Sequence, residues 1–301
     1  MKNVLVWYGE LTSAGSLRRR GMVFLLPALL WLLGFLVLPG LVLIVVSFAE
    51  RGTYGDIVWN FSPENYKRAL GFGLFGWSPD YLLILWRSVL VAGVTSLCSV
   101  LLAYPLAFFI ATRPERTRYL WLTLVIIPFW TNLVIRTYAW FLLLAPESPF
   151  VKLLAALHLV TPGDALYPSA FAVYLGMVSA FLPFVVLPLY SSVERLNWNL
   201  VEAAQDLYAH PVRVFMQGIL PQTLPGLTVG VILTFIPAMG MFVVPDLLGG
   251  AKYLLVGNLI QQQFGASRDW PFAAAIALGL MLLTLVALRI YRTRATEVDL
   301  V

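Results

Sequence analysis

Six stretches of the chain stay apolar for long enough to cross a bilayer, and the polar positions between them fall in short, separate clusters. A spanning helix needs roughly 20 residues to cover about 30 Å of hydrocarbon. Runs of this kind extend from Gly21 to Phe48, Tyr81 to Ala111, Tyr119 to Leu144, Ser169 to Tyr190, Leu220 to Val244 and Pro271 to Tyr291. They predict an all-α integral membrane protein with six transmembrane helices. One transmembrane domain, residues 21–292, lies between an N-terminal segment, 1–20, and a tail, 293–301. Pro27, Pro39, Pro105, Pro128, Pro183, Pro188 and Pro237 fall within or near the runs and predict kinks with locally freed carbonyls.

Composition agrees with this pattern. Of 301 residues, 60% are apolar and 12% charged, with a mean hydropathy of +0.84. A soluble domain carries about 25% charged residues, so this chain lacks the polar surface to face water on all sides. Cys98 is the single cysteine, which excludes an intrachain disulfide. His158 and His210 stand in different loops and form no metal-ligand spacing. No phosphate-binding GxxxxGK[ST] loop, nucleophile constellation or carboxylate pair occurs, so the chain is read as neither an ATPase nor another enzyme.

The charges orient the spans. Lys2, Arg18–Arg20, Arg113, Arg116, Arg118, Arg195, Arg213, Arg289, Arg292 and Arg294 supply twelve of the 20 basic residues, all near alternate span ends. By the positive-inside rule both termini and the loop 191–219 face the cytoplasm. The first span exceeds the 7–15-residue core of a cleaved signal and is read as an uncleaved anchor. Trp7, Tyr8, Trp59, Trp77, Tyr81, Trp86, Tyr119, Trp121, Trp270 and Tyr291 cluster near the predicted interfaces, as an aromatic belt does.

The loop is the unusual element. From Asn199 to Leu207 it is built of helix formers, with Leu200, Ala203, Ala204 and Leu207 on one face. Pro211 ends that helix, and a second short one, Val212 to Gly218, leads to Leu220-Pro221. Two short helices along the membrane surface are expected. Ala203 and Ala204 allow close approach of a partner, while Glu202 and Asp206 offer it negative charge.

Glu202-Ala203-Ala204 with Leu220-Pro221 resembles the EAA loop of ABC importer permeases. That pattern places a glycine where this chain has Tyr208, and an apolar residue where it has Gly218; Ala209 or Pro211 is an alternative site for the bend. Ile127-Pro128-Phe129-Trp130-Thr131-Asn132 with Ile135-Arg136-Thr137-Tyr138 is similar to spermidine/putrescine permeases of the PotB/PotH type. So are Leu182-Pro183-Phe184, Leu187-Pro188-Leu189-Tyr190-Ser191-Ser192, Pro237-Ala238-Met239-Gly240, Pro245 to Lys252 and Arg268 to Phe272. Together these motifs cover residues 80–290. Upstream, the resemblance is limited to one span and Pro63-Glu64-Asn65-Tyr66.

The resemblance implies a MetI-like ABC permease fold with cytoplasmic coupling helices, in a bacterial cytoplasmic (inner) membrane. Glu202, Ala203, Ala204, Asp206, Leu207, Tyr208 and Ala209 would then meet the ATPase. The implied partners are a second homologous permease subunit, a dimer of ABC ATPase subunits that holds ATP-Mg, and an external polyamine-binding protein. Lipid surrounds the chain, no cofactor belongs to it and no nucleic acid is involved. The same architecture for another substrate (an opine, an amino-acid derivative, ferric ion or thiamin) stays open.

Trp130, Asn132, Arg136, Tyr138, Met239 and Asp246 are the candidates for the translocation pathway. A charge at the centre of a span costs about 2.5–3.5 kcal/mol, so Arg136 must face protein or water. It either lines the pathway or ties down carbonyls. No aspartate or glutamate lies inside a span. An ion-coupled secondary carrier normally places a carboxylate there and shows an internal repeat, so that alternative ranks below an ATP-driven importer. A structural subunit without transport leaves Glu202 without a partner.

Overall fold

The computed structural model describes residues 25–73, 76–161, 166–250 and 253–298, with side chains as far as Arg289. The N-terminal segment 1–20, the start of the first span, Lys252 and residues 299–301 lie outside the described residues. Helix α1, Leu25–Ser47, is the first span and contains a π-helical turn at Leu33–Val37. A two-residue hairpin follows, β1 (Glu50–Arg51) pairing antiparallel with β2 (Ile57–Val58). The short helix α2, Glu64–Ala69, leads to a second hairpin, β3 (Phe72–Gly73) and β4 (Gly76–Trp77). Asn65 anchors this cap, because its Nδ2 donates to the carbonyls of Ser47 at 2.9 Å and Ala49 at 2.7 Å. These carbonyls lie at the end of α1, where the helix supplies no partners of its own.

The long helix α3, Asp80–Ala111, and α7, Ala170–Glu194, form the centre of the bundle. Val91 and Ala92 share one buried cluster with Ala172–Phe181, and Ala103–Ile110 share another with Val185–Val193. Low numbers meet low and high meet high, so α3 and α7 run parallel. The chain between them must therefore cross the bundle in return. Helix α9, Pro211–Met239, runs the other way: Gly226 lies against Pro188 and Ser192, and Met239 sits in the cluster with Met177. Helix α12, Trp270–Val298, packs on α1 and α2.

Small residues permit the closest approach. A Cβ on Gly230 would stand 3.0 Å from the Val185 Cα, and one on Gly226 would collide with the Pro188 carbonyl and the Ser192 hydroxyl. Four residues apart, the two glycines form one stripe on α9 that lets its backbone touch α7. In lipid, van der Waals packing across such stripes replaces the hydrophobic effect as the force between helices.

The return crossing departs from the sequence expectation of one continuous span from Tyr119 to Leu144. Two helices make it, α4 (Glu115–Trp130) and α5 (Leu133–Leu144), bent by 92°. Thr131 is extended at φ −75°, ψ 146°, and Asn132 caps α5 by accepting the Val134 amide at 2.8 Å. The carbonyl of Pro128 accepts from the Thr131 hydroxyl at 2.6 Å and from Arg136 Nη1 at 2.7 Å. A bare carbonyl at membrane depth costs several kcal/mol, and these two donors remove that cost.

Beyond α5 come α6 (Pro149–Ala156), α10 (Val243–Gly249) and α11 (Val256–Phe264). The fifth span therefore ends at Met239 rather than Val244, and Val244 and Leu248 of α10 pack over Gly176. At this end Asp269 accepts from Arg68 Nη1 at 2.7 Å and from the Phe272 amide at 3.3 Å, which ties α2 to the start of α12. Burial acts against the Arg68 charge, but the hydrogen bond to Asp269 and the neighbouring Tyr81 offset it and leave the guanidinium pKa raised.

Gly230→Leu is expected to overpack the α7–α9 seam by about 1–3 kcal/mol, read as a lowered melting temperature in detergent; an unchanged value would refute the seam. Arg136→Ala removes a charged donor worth about 1.5–3 kcal/mol. It should raise amide exchange at residues 128–136 while the α7–α9 core stays protected. Unaltered exchange at the bend would contradict the role given to Arg136.

Candidate functional site

The loop predicted from the sequence is a compact unit at the bundle end that carries Arg113, Arg118 and Glu194. Arg118 Nη1 donates to Glu194 Oε1 at 2.6 Å, joining the first turn of α4 to the last of α7. Helix α8, Trp198–Asp206, begins at Asn197, whose Oδ1 accepts from the Asn199 amide at 3.2 Å. The Asn197 amide donates to Gln222 Oε1 at 2.9 Å, and Gln222 Nε2 donates back to the Gly218 carbonyl at 2.7 Å. This relay fixes α8 against α9. Beneath it lies a small core of Leu196, Val201 and Val214, with Ala204, Ala209 and Ile219 around it.

The second short helix expected along the membrane surface is absent as a separate element. Pro211–Val214, a π-helical turn at Phe215–Ile219 and the span from Leu220 run on as the single helix α9. His210 caps it, with Nδ1 accepting the Val212 amide at 3.4 Å, and Pro211 occupies the first turn, where its missing N–H costs nothing. The fifth span thus starts inside the loop.

The bend between α8 and α9 falls on Tyr208 itself, not on Ala209 or Pro211. Its φ is +54°, and the hydrogen bonds are those of a Schellman turn: the Ala209 amide to the Ala204 carbonyl at 3.2 Å, and the Tyr208 amide to the Gln205 carbonyl at 2.9 Å. Glycine is favoured at this position, because a side chain in the left-handed region costs about 1–2 kcal/mol. Tyr208 stands where the EAA pattern has a glycine, and it holds a left-handed conformation that favours glycine.

Burial divides the loop into two faces. Val201 points inward, 4% exposed, and Ala204 and Ala209 are half-buried. Glu202, Ala203, Asp206, Leu207 and Tyr208 are exposed, the last at 98%. Helix α8 carries two acids and no base on this face, and neither Glu202 nor Asp206 forms an ion pair among the described residues. An acidic helix with small residues at its centre and an exposed aromatic at its end suits a cleft in another protein.

The pathway candidates separate. Trp130, Asn132 and Arg136 meet at the α4–α5 bend, with Trp130 at 79% exposure and Arg136 engaged with the Pro128 carbonyl. Tyr138 is exposed on α5, edge-on to Phe141, and Asp246 is exposed in the first turn of α10, which packs on α5. Met239 is fully buried among α3, α7 and α10 and packs the core instead of lining a path. Trp140, another aromatic on α5, donates its Nε1 to Ser179 at 2.9 Å. The glycine stripe and the Gln222 relay were missed from sequence. Gly226 and Gly230 at four-residue spacing were the available sign of the stripe, whereas nothing in the sequence singles out Gln222.

Residues 103–294 match the family described as "Binding-protein-dependent transport system inner membrane component". The chain is 38% identical over 261 residues to the Haemophilus influenzae spermidine/putrescine transport system permease protein PotB, covering 87% of this chain and 89% of that one. Identity to the Escherichia coli PotB protein is 41% over 259 residues, 84% and 92% of the two chains. Among solved structures, a bacterial ABC transporter that imports the acidic polysaccharide alginate superposes with a TM-score of 0.66 at 16% identity, covering 94% and 98%. At that identity the likeness establishes the MetI-like fold alone. The matched region holds the bend, the glycine stripe and the exposed loop helix, and the chain belongs to the family of inner-membrane permease components of binding-protein-dependent ABC importers, transport subunits that catalyse no reaction themselves.

Proposed function

We propose that the chain is a transmembrane subunit of an ATP-driven importer of polyamines, spermidine and putrescine, and that α8 is the helix through which it meets the ATPase. The observation that carries the docking reading is the two-faced α8, with Val201 buried and Glu202, Ala203, Asp206, Leu207 and Tyr208 exposed. Support for the substrate comes from relatives 38–41% identical over more than four-fifths of the chain that are named for spermidine and putrescine. The loop and both termini face the cytoplasm in this reading, following the arginines. One chain presents one such helix, and an ATPase dimer has two equivalent clefts. A second permease subunit completes the assembly, ATP-Mg is bound by the ATPase, and an external binding protein delivers the polyamine.

The exposed faces of α5 and α10 form the proposed path. Trp130 and Tyr138 offer rings to ammonium groups, each contact worth about 0.5–2 kcal/mol, and Asp246 offers a carboxylate near one end. Arg136 sets the shape of the path through Pro128 rather than binding a cation.

Transport of labelled spermidine and putrescine into cells lacking this chain, with and without its restoration, tests the substrate. Uptake should return, stop on ATP depletion and survive proton uncoupling with ATP maintained. No uptake with the partner subunits present would move the assignment to another substrate of the same architecture. Glu202→Arg should lower uptake at least tenfold with unchanged protein in the membrane; normal uptake would refute the docking helix.

A further inference from the structure

The exposed loop surface has a protrusion and a hollow side by side. The protrusion is Leu207-Tyr208, at 82% and 98% exposure. Tyr208 holds the left-handed conformation at φ +54°, which the Schellman hydrogen bonds support, yet its ring is buried against nothing among the described residues. The hollow is a groove of about 370 Å3 between α8 and the first turns of α9. Leu200, Ala204, Ala209, Val214 and Pro221 line it, with Arg213 as its charged member. Gly218 lies at its floor in the π-helical turn, and a Cβ there would meet no atom within 4 Å. A side chain at position 218 would therefore have open space beside it.

We propose that this protrusion and hollow select the ATPase subunit: the Tyr208 ring enters an apolar pocket of the ATPase, and an apolar ATPase side chain seats in the groove over Gly218. The inference rests on the docking reading of α8 and adds what decides which ATPase fits. Charge argues for a protein occupant. Glu202 and Asp206 lie on the exposed face of α8 that leads to the protrusion, where an anionic leaflet surface repels them and a cleft with a basic rim attracts both, while Arg195 and Arg213 lie outside α8. A buried aromatic anchor surrounded by weaker contacts is the usual composition of an energetic hot spot, and complementary shape on both sides gives discrimination between similar partners.

The test uses the assembled transporter in detergent and follows release of the ATPase subunit that supports uptake. Tyr208→Gly relieves the backbone and should melt at the wild-type temperature or above, yet bind the ATPase roughly 10- to 30-fold more weakly. Tyr208→Phe should keep the affinity. Gly218→Leu has room to fold and should weaken binding to a similar degree by filling the groove. Wild-type affinity for Tyr208→Gly overturns the protrusion, and wild-type affinity for Gly218→Leu overturns the hollow. Failure of the folded wild-type chain to hold any ATPase overturns the docking reading instead. In inside-out membrane vesicles stripped of the ATPase, a Tyr208→Cys, Cys98→Ala variant should react with a membrane-impermeant maleimide and become protected when the ATPase is added. Lack of reaction before addition places the ring in the bilayer and overturns the proposal.

Discussion

Lipid offers no hydrogen bonds, and the architecture depends on that constraint. Every backbone amide and carbonyl at membrane depth must find its partner within protein, so the chain crosses as helices and can leave helical geometry only where a side chain replaces the lost bond. The α4–α5 bend meets this condition with three local contacts: the Asn132 cap on Val134, and the Thr131 and Arg136 donors on Pro128. Because α3 and α7 run parallel, the chain has to return between them. The bend makes that return and at the same time places Trp130, Asn132 and Tyr138 on an exposed elbow. An arginine otherwise expensive in a span is accommodated by a carbonyl otherwise expensive in a span.

The loop continues directly into the closely packed core. Gly226 and Gly230 bring α9 against α7, and α9 runs unbroken from the loop to Met239. At about 1.5 Å rise per residue, its 29 residues extend roughly 44 Å. In the proposed assembly, displacement of α8 by the ATPase acts on the first turns of α9 through Val201, Val214 and the Gln222 relay, with no flexible joint between. The π-helical turn at Phe215–Ile219 lies along that line and contains Gly218, which borders the groove.

Much of this was legible in the sequence. Hydropathy located the five continuous spans, and helix-former spacing placed α8 to within a residue of its observed limits. The bend was not, because summed hydropathy is blind to direction and proline alone does not discriminate. Pro105, Pro183, Pro188, Pro225 and Pro237 all sit inside helices that continue through them. What distinguishes Pro128 is the donors of Thr131 and Arg136, a three-dimensional fact. The continuity of α9 is hidden for the opposite reason: in sequence Pro211 reads as a break between two surface helices, but at a first turn proline starts one. Met239 was misplaced because a residue beside a predicted interface can face either way, and only the packing of α10 over it shows that it faces in.

The loop is held with little burial, which suits the docking role proposed for it. Three buried side chains hold α8, and its ends are fixed by capping rather than by core: Asn197 and Gln222 at one, the Schellman turn of Tyr208 at the other. A larger core would have turned Ala203 or Leu207 inward and removed the surface a partner reads. The weak anchorage and the exposed acidic face are therefore one property. Satisfying the backbone by caps leaves the side chains of the exposed face free, and those side chains are where a water-soluble subunit would gain specific contact.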